Sequence, residues 1–77
     1  SLKDLFNSSI KEITFNLTSK EQLNEIQNFL EKKGETLVNI NFSSEKETHK
    51  FKLKSLRNID RKSINILRSK EISLNIH

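Results

Sequence analysis

Between Lys11 and Thr18 the chain alternates, with Ile13, Phe15 and Leu17 on one side and Glu12, Thr14 and Asn16 on the other. A period of two is that of a strand with one buried face. The period then changes. Thr18 stands three residues before Glu21, the spacing of a capping box, in which each side chain satisfies an exposed backbone N–H of a first helical turn. Leu23, Ile26 and Leu30 follow at helical intervals, with Phe29 widening the stripe. Glu31-Lys32-Lys33 puts bases in a last turn, where the helix dipole favours them, and Gly34 predicts a left-handed stop.

Alternation returns from Thr36 to Phe42, where Val38, Ile40 and Phe42 face away from Asn39 and Asn41. The polar run Ser43-Ser44-Glu45-Lys46-Glu47 has the length of a hairpin loop, and a third strand runs from Thr48 to Lys54 with Phe51 and Leu53 inward. Asp60 predicts an N-cap, with Ile59 before it as the outer half of a hydrophobic staple. Ile64 and Leu67 then define a short amphipathic helix to about Ser69, and Glu71 to Ile76 closes the chain as a fourth strand carrying Ile72, Leu74 and Ile76 on one face.

The predicted order is β-α-β-β-α-β, the split βαβ arrangement of α+β ferredoxin-like folds: one four-stranded, mostly antiparallel sheet with two helices on one face. The other face should be polar. Residues 11–77 form one small domain, since the length allows no more. Residues 1–10, with Leu2, Leu5 and Phe6 ahead of Asn7-Ser8-Ser9, read as a linker or short helical tail of an upstream region. Opening on Ser1 rather than Met, the chain reads as a piece of something longer.

Composition changes the weight of the charge. Phe, Ile, Asn and Lys supply 34 of the 77 residues, whereas Gly, Ala, Arg and Pro supply 4. That skew points to an AT-rich genome, so abundant lysine is weak evidence of function. The net charge of +4 is nevertheless uneven. From Lys46 to Lys70 nine bases face only Glu47 and Asp60, a stretch suited to phosphates or an acidic protein surface. Apolar residues never run longer than two, which leaves no segment for a membrane helix. The absence of Cys removes disulfides, zinc-thiolate sites and thiol catalysis, and fits a cytoplasmic protein.

Catalytic candidates are few. His49 and His77 are the only imidazoles, one beside the hairpin loop and one at the terminus, and neither has convergent partners in the pattern. No cofactor and no metal site is expected, and Gly34, the single glycine, makes no phosphate-cradling loop. RNA-recognition domains share this element order and stack bases on outward aromatics. Here Phe15 is in register with Ile13 and Leu17, and the third strand, His49-Lys50-Phe51-Lys52-Leu53-Lys54, lacks the glycine and the second aromatic of that motif. What remains is a lysine row. Lys50, Lys52 and Lys54 would stand roughly 7 Å apart on one strand, able to follow phosphates or to keep an edge strand from pairing with other chains. Arg57, Arg61 and Arg68 complete the possible partner or phosphate contacts. A ferredoxin-like small-molecule regulator is a third class, disfavoured by loops almost devoid of glycine.

Several stretches resemble the extreme C-terminal domain of the bacterial DNA polymerase III alpha subunit. They are a helix ending in a charged turn and glycine (Leu30-Glu31-Lys32-Lys33-Gly34), an aliphatic strand (Leu37-Val38-Asn39-Ile40-Asn41-Phe42), a mixed strand (Lys50-Phe51-Lys52-Leu53-Lys54), and a link (Arg57-Asn58-Ile59-Asp60) into a small helix and final strand. The resemblance covers about residues 12–77 and rests on patterns; a proline often seen in that family, and small residues in its last helix, are missing. It implies a non-catalytic domain of a DNA-directed DNA polymerase, a nucleotidyltransferase whose catalytic carboxylates lie upstream. It further implies docking to the tau subunit of the clamp loader and proximity to other replisome proteins, with at most weak direct DNA contact. No tau-contact residue carries over. The alternative expectation is a small nucleic-acid-binding module using the basic strand face.

Overall fold

The computed structural model describes residues 10–77, in which strand β1 (Glu12–Leu17) leads through helix α1 (Lys20–Gln27) to strand β2 (Lys33–Ser43). Strand β3 (Thr48–Lys52), helix α2 (Arg61–Ser69) and strand β4 (Ser73–Ile76) follow. The element order is the expected one, an α+β fold with a four-stranded mixed sheet. The turn expected around Leu2, Leu5 and Phe6 lies outside the described residues.

Strand order differs from the ferredoxin-like expectation. A split βαβ unit would insert β3 between β1 and β2. Here the order is β3-β2-β1-β4, with β1 directly parallel to β2 from Glu12↔Leu37 to Leu17↔Phe42. β3 and β4 lie antiparallel on the two edges. The side chains give the physical reason. Asn39 donates to Glu12 and Thr14, and Asn41 donates to Asn16 at 3.1 Å, joining β1 to β2 across the polar face. Every residue of β3 is exposed, and its lysines suit an edge rather than a centre.

The apolar faces gather where the alternation put them. Ile13, Phe15 and Leu17 of β1 and Val38 and Ile40 of β2 are buried in one core with Ile26 of α1, Leu30, and Ile64 and Leu67 of α2. Both helices therefore lie over the same sheet face. Full burial of each such side chain is worth about 1.5–3 kcal/mol. Thr36 is buried too, and its hydroxyl donates to the Ile10 carbonyl.

The start of α1 is set one residue later than the pattern suggested. Ser19 is the N-cap, extended at φ −146°, and its hydroxyl accepts from the Gln22 N–H. The Gln22 side-chain oxygen in turn accepts from the Thr18 N–H at 2.8 Å, one residue before the cap. Ser19 thus caps in place of Thr18, and Gln22 rather than Glu21 reaches back, to the residue before the cap. The helix also ends sooner, at Gln27, and Phe29 and Leu30 follow in turns closed by N–H bonds to the Ile26 and Gln27 carbonyls. Leu30 still reaches the core from that turn.

Gly34 is no helix stop, because β2 has already begun and no glycine has positive φ. It is needed for proximity. A Cβ at position 34 would come within 2.5 Å of the Asn58 Cα. Gly34 donates to the Leu56 carbonyl at 3.2 Å, and the Asn58 N–H donates to the Lys32 carbonyl at 2.8 Å, strapping the segment before α2 onto the start of β2.

At α2, Asp60 caps as expected, accepting from the Ser63 N–H at 2.7 Å, while Ile59 and Ile64 both enter the core as the two halves of a staple. The left-handed position falls here instead. Glu71 has φ 61°, its N–H donates to the Arg68 carbonyl, and the Ile72 N–H donates to the Leu67 carbonyl. This is a Schellman closure, with Ile72 and Leu67 as its buried contact. β4 accordingly starts at Ser73 rather than Glu71.

Candidate functional site at the β3 edge

β3 is bonded to β2 along one side only, and it is the last strand of the described sheet on that side. Its register pairs Lys52 with Asn39 and Lys50 with Asn41, which puts both lysines on the open polar face. Phe51 pairs with Ile40 and His49 with Phe42, so those two rings stand on the helix-covered face. They stack, with centroids 6.3 Å apart and planes 24° from parallel. Phe51 is nevertheless 55% exposed, because β3 extends past the cover of α1.

The uncovered side is a groove of about 420 Å³, floored by Ile40, Phe42, Phe51 and Leu53 and walled by Leu23 and Gln27 of α1. Lys52 and Lys54 stand at its rim. A second hollow shares Leu23, Gln27, Ile40 and Leu53 and carries the groove on to Leu30, Glu31 and Arg57. Arg57 is half-buried. Its Nη1 donates to the Leu30 carbonyl at 2.7 Å, and its Nε is buried without a hydrogen-bond partner.

The six basic residues singled out in the sequence therefore do not form one surface. Lys50 and Lys52 share the open face. Lys54 lies beyond the end of β3 and, like Lys52, reaches the rim of the groove. Arg57 closes the far end of the groove, while Arg61 and Arg68 lie exposed at opposite ends of α2. Sequence reasoning missed the groove itself. Alternation correctly puts Phe51 on the inward side, but it carries no information about whether a helix covers that side.

The ionisable groups are locally engaged. His49 Nε2 lies 2.9 Å from a Glu47 carboxylate oxygen, and His77 Nε2 lies 2.8 Å from the Thr14 hydroxyl. Lys70 and Glu25 pair at 3.0 Å between the helices, both well exposed, and such a pair contributes little. The Asp60 carboxyl is held below the usual carboxylate range, first by the Ser63 backbone N–H, then by the Ser63 hydroxyl and the nearby Lys62 charge. Among the described residues no three His, Cys, Asp or Glu gather closely enough to hold a metal ion, and no helix is long and apolar enough to cross a membrane. Phe15 is fully buried, and the ring that reaches the polar sheet face is the His77 imidazole, held at the Thr14 hydroxyl. What the arrangement offers is an apolar slot beside an unpaired strand edge, rimmed by cations.

No family model, curated protein or solved structure matches the chain.

Proposed function

We propose that the domain is a non-catalytic protein-docking module whose contact surface is the β3 edge and its groove. The observation that carries this reading is Phe51, 55% exposed on the face that buries apolar residues elsewhere in the sheet. Contiguous exposed apolar surface rimmed by polar groups is the mark of a partner site. The resemblance to the C-terminal domain of the DNA polymerase III alpha subunit supports a specific form of the proposal. In that form the module tethers a bacterial replicative polymerase, in the cytoplasm, to the tau subunit of its clamp loader, and nucleotidyl transfer belongs to the parent enzyme. The test is a titration of the chain with the C-terminal domain of a tau subunit from an AT-rich bacterium. Binding that is lost in Phe51→Asp is the expected result. Absence of binding removes tau as the partner.

A second reading draws on Lys50 and Lys52, which flank Asn39 and Asn41 on the open face. It is a nucleic-acid module working through phosphates alone. Single-stranded DNA titrated at two salt concentrations separates the two, since phosphate contacts give an affinity that falls steeply with salt.

A further inference from the structure

We infer that the occupant of this surface is an extended protein segment in which acidic and apolar residues alternate, added to the sheet as a fifth strand along β3. The inference rests on the protein-docking reading and specifies what docks. Three observations converge. The outer side of β3 has no strand partner among the described residues, so its backbone N–H and C=O groups are available for a further ladder. A strand laid there would send alternate side chains to opposite faces. On the helix side those side chains would meet Phe51 and the apolar groove; on the open side they would meet Lys50 and Lys52. The two faces of β3 thus ask for different chemistry at alternate positions, apolar then acidic.

Charge selects among possible occupants. A second copy pairing antiparallel with Phe51 against Phe51 would set Lys50 of each copy opposite Lys52 of the other, and like charges facing across a ladder are destabilising. A nucleic acid would answer the lysines but leave the slot beside Phe51, Leu53 and Leu23 unfilled. An acidic-apolar strand satisfies both faces.

The probe is the blocked heptapeptide Glu-Val-Glu-Leu-Glu-Val-Glu, titrated into the isotope-labelled 77-residue chain while backbone amide shifts are followed. The expected result is saturable binding below about 1 mM, with the largest shifts at Thr48–Lys52, and at least roughly tenfold weaker binding of the same peptide with Lys for Glu. One of two versions with N-methyl groups on alternate amides should lose binding, because one edge of the peptide must supply the ladder. Phe51→Ser should weaken binding about tenfold, as for a central apolar anchor. The doubly reversed Lys50→Glu/Lys52→Glu chain should prefer the lysine peptide. All these positions are exposed, and far-UV circular dichroism is the check that the variants are folded.

No shift at 1 mM peptide, equal affinity for the acidic and basic peptides, full binding by both N-methylated versions, or self-association of the free chain through β3 would each overturn the inference. If the peptide fails while the tau domain binds in a Phe51-dependent way, only the chemistry of the occupant is wrong. If neither engages Phe51, the docking reading falls with it.

Discussion

Replacing Gly34 by alanine isolates the approach of two backbone segments in a single measurement. In an ordinary strand that change stabilises, because glycine loses more conformational freedom on folding, by about 0.5–1 kcal/mol. Here the added Cβ would lie 2.5 Å from the Asn58 Cα and 2.7 Å from its nitrogen and Cβ, and two of those atoms are backbone. Relief requires the strap to move outward by roughly 0.9 Å to reach ordinary van der Waals contact. That displacement breaks or stretches the Gly34–Leu56 and Asn58–Lys32 bonds, now 3.2 and 2.8 Å. Each is worth about 1 kcal/mol, and overpacking itself costs about 1–3 kcal/mol. Set against the entropic gain, the net is a loss of about 2–4 kcal/mol, or a fall in Tm of about 8 °C or more for a domain this small. Thermal and urea unfolding followed by circular dichroism read it directly. Gly34→Asn supplies the control. Asparagine tolerates a left-handed backbone, so at a helix stop it would be the mildest replacement; at a close approach it is at least as damaging as alanine. An alanine variant as stable as the parent, or an asparagine variant clearly more stable than the alanine one, would refute the reasoning.

Glu71→Gly should stabilise by about 0.5–1 kcal/mol, since a non-glycine residue in the left-handed region is strained; an unchanged urea midpoint would contradict it. Asp60→Ala should cost about 1 kcal/mol at neutral pH through loss of the cap. Because the folded carboxyl titrates below its unfolded value of about 3.9, the part of its contribution that depends on charge is present above that pH and lost as pH falls through the folded value. The gap between parent and Asp60→Ala should therefore narrow between pH 7 and pH 3, and Asp60→Asn, which caps without a charge, should lack that component. On α2, Leu67→Ala should cost about 2–5 kcal/mol, whereas its exposed neighbour Ile66→Ala should fall within about 0.5 kcal/mol of the parent. Equal losses at the two positions would contradict the assigned helix face.

Strand faces were legible because burial writes itself as a period: Ile13, Phe15, Leu17, Val38 and Ile40 are all core residues, as the alternation required. Strand order was not legible. Both the split and the adjacent arrangements bury the same alternating faces, and what separates them is the placement of Lys50 and Lys52 on an edge and the reach of Asn39 and Asn41 to β1. The end of α1 at Gln27 is hidden from the pattern for a related reason. Leu30 keeps the helical spacing yet reaches the core from a turn, and the one glycine looked like a stop when its backbone neighbour was the cause. The candidate site was half legible: the lysines marked the strand, but the exposure of Phe51 depends on how far α1 extends sideways, a tertiary quantity that no local pattern encodes.

The side-chain amides on the polar face also act as a register key. Sliding β2 along β1 by one residue would turn Val38 and Ile40 to water, so burial alone forbids odd slips. A slip of two residues keeps every apolar side chain on the correct face, and burial barely opposes it. The hydrogen bonds do. Moved two places one way, Asn39 would face Asn16 and leave Glu12 unmatched; moved the other way, Asn41 would face Thr14 and leave Asn16 without its donor. Hydrophobic alternation fixes the parity of this parallel pairing, and two asparagines fix its count.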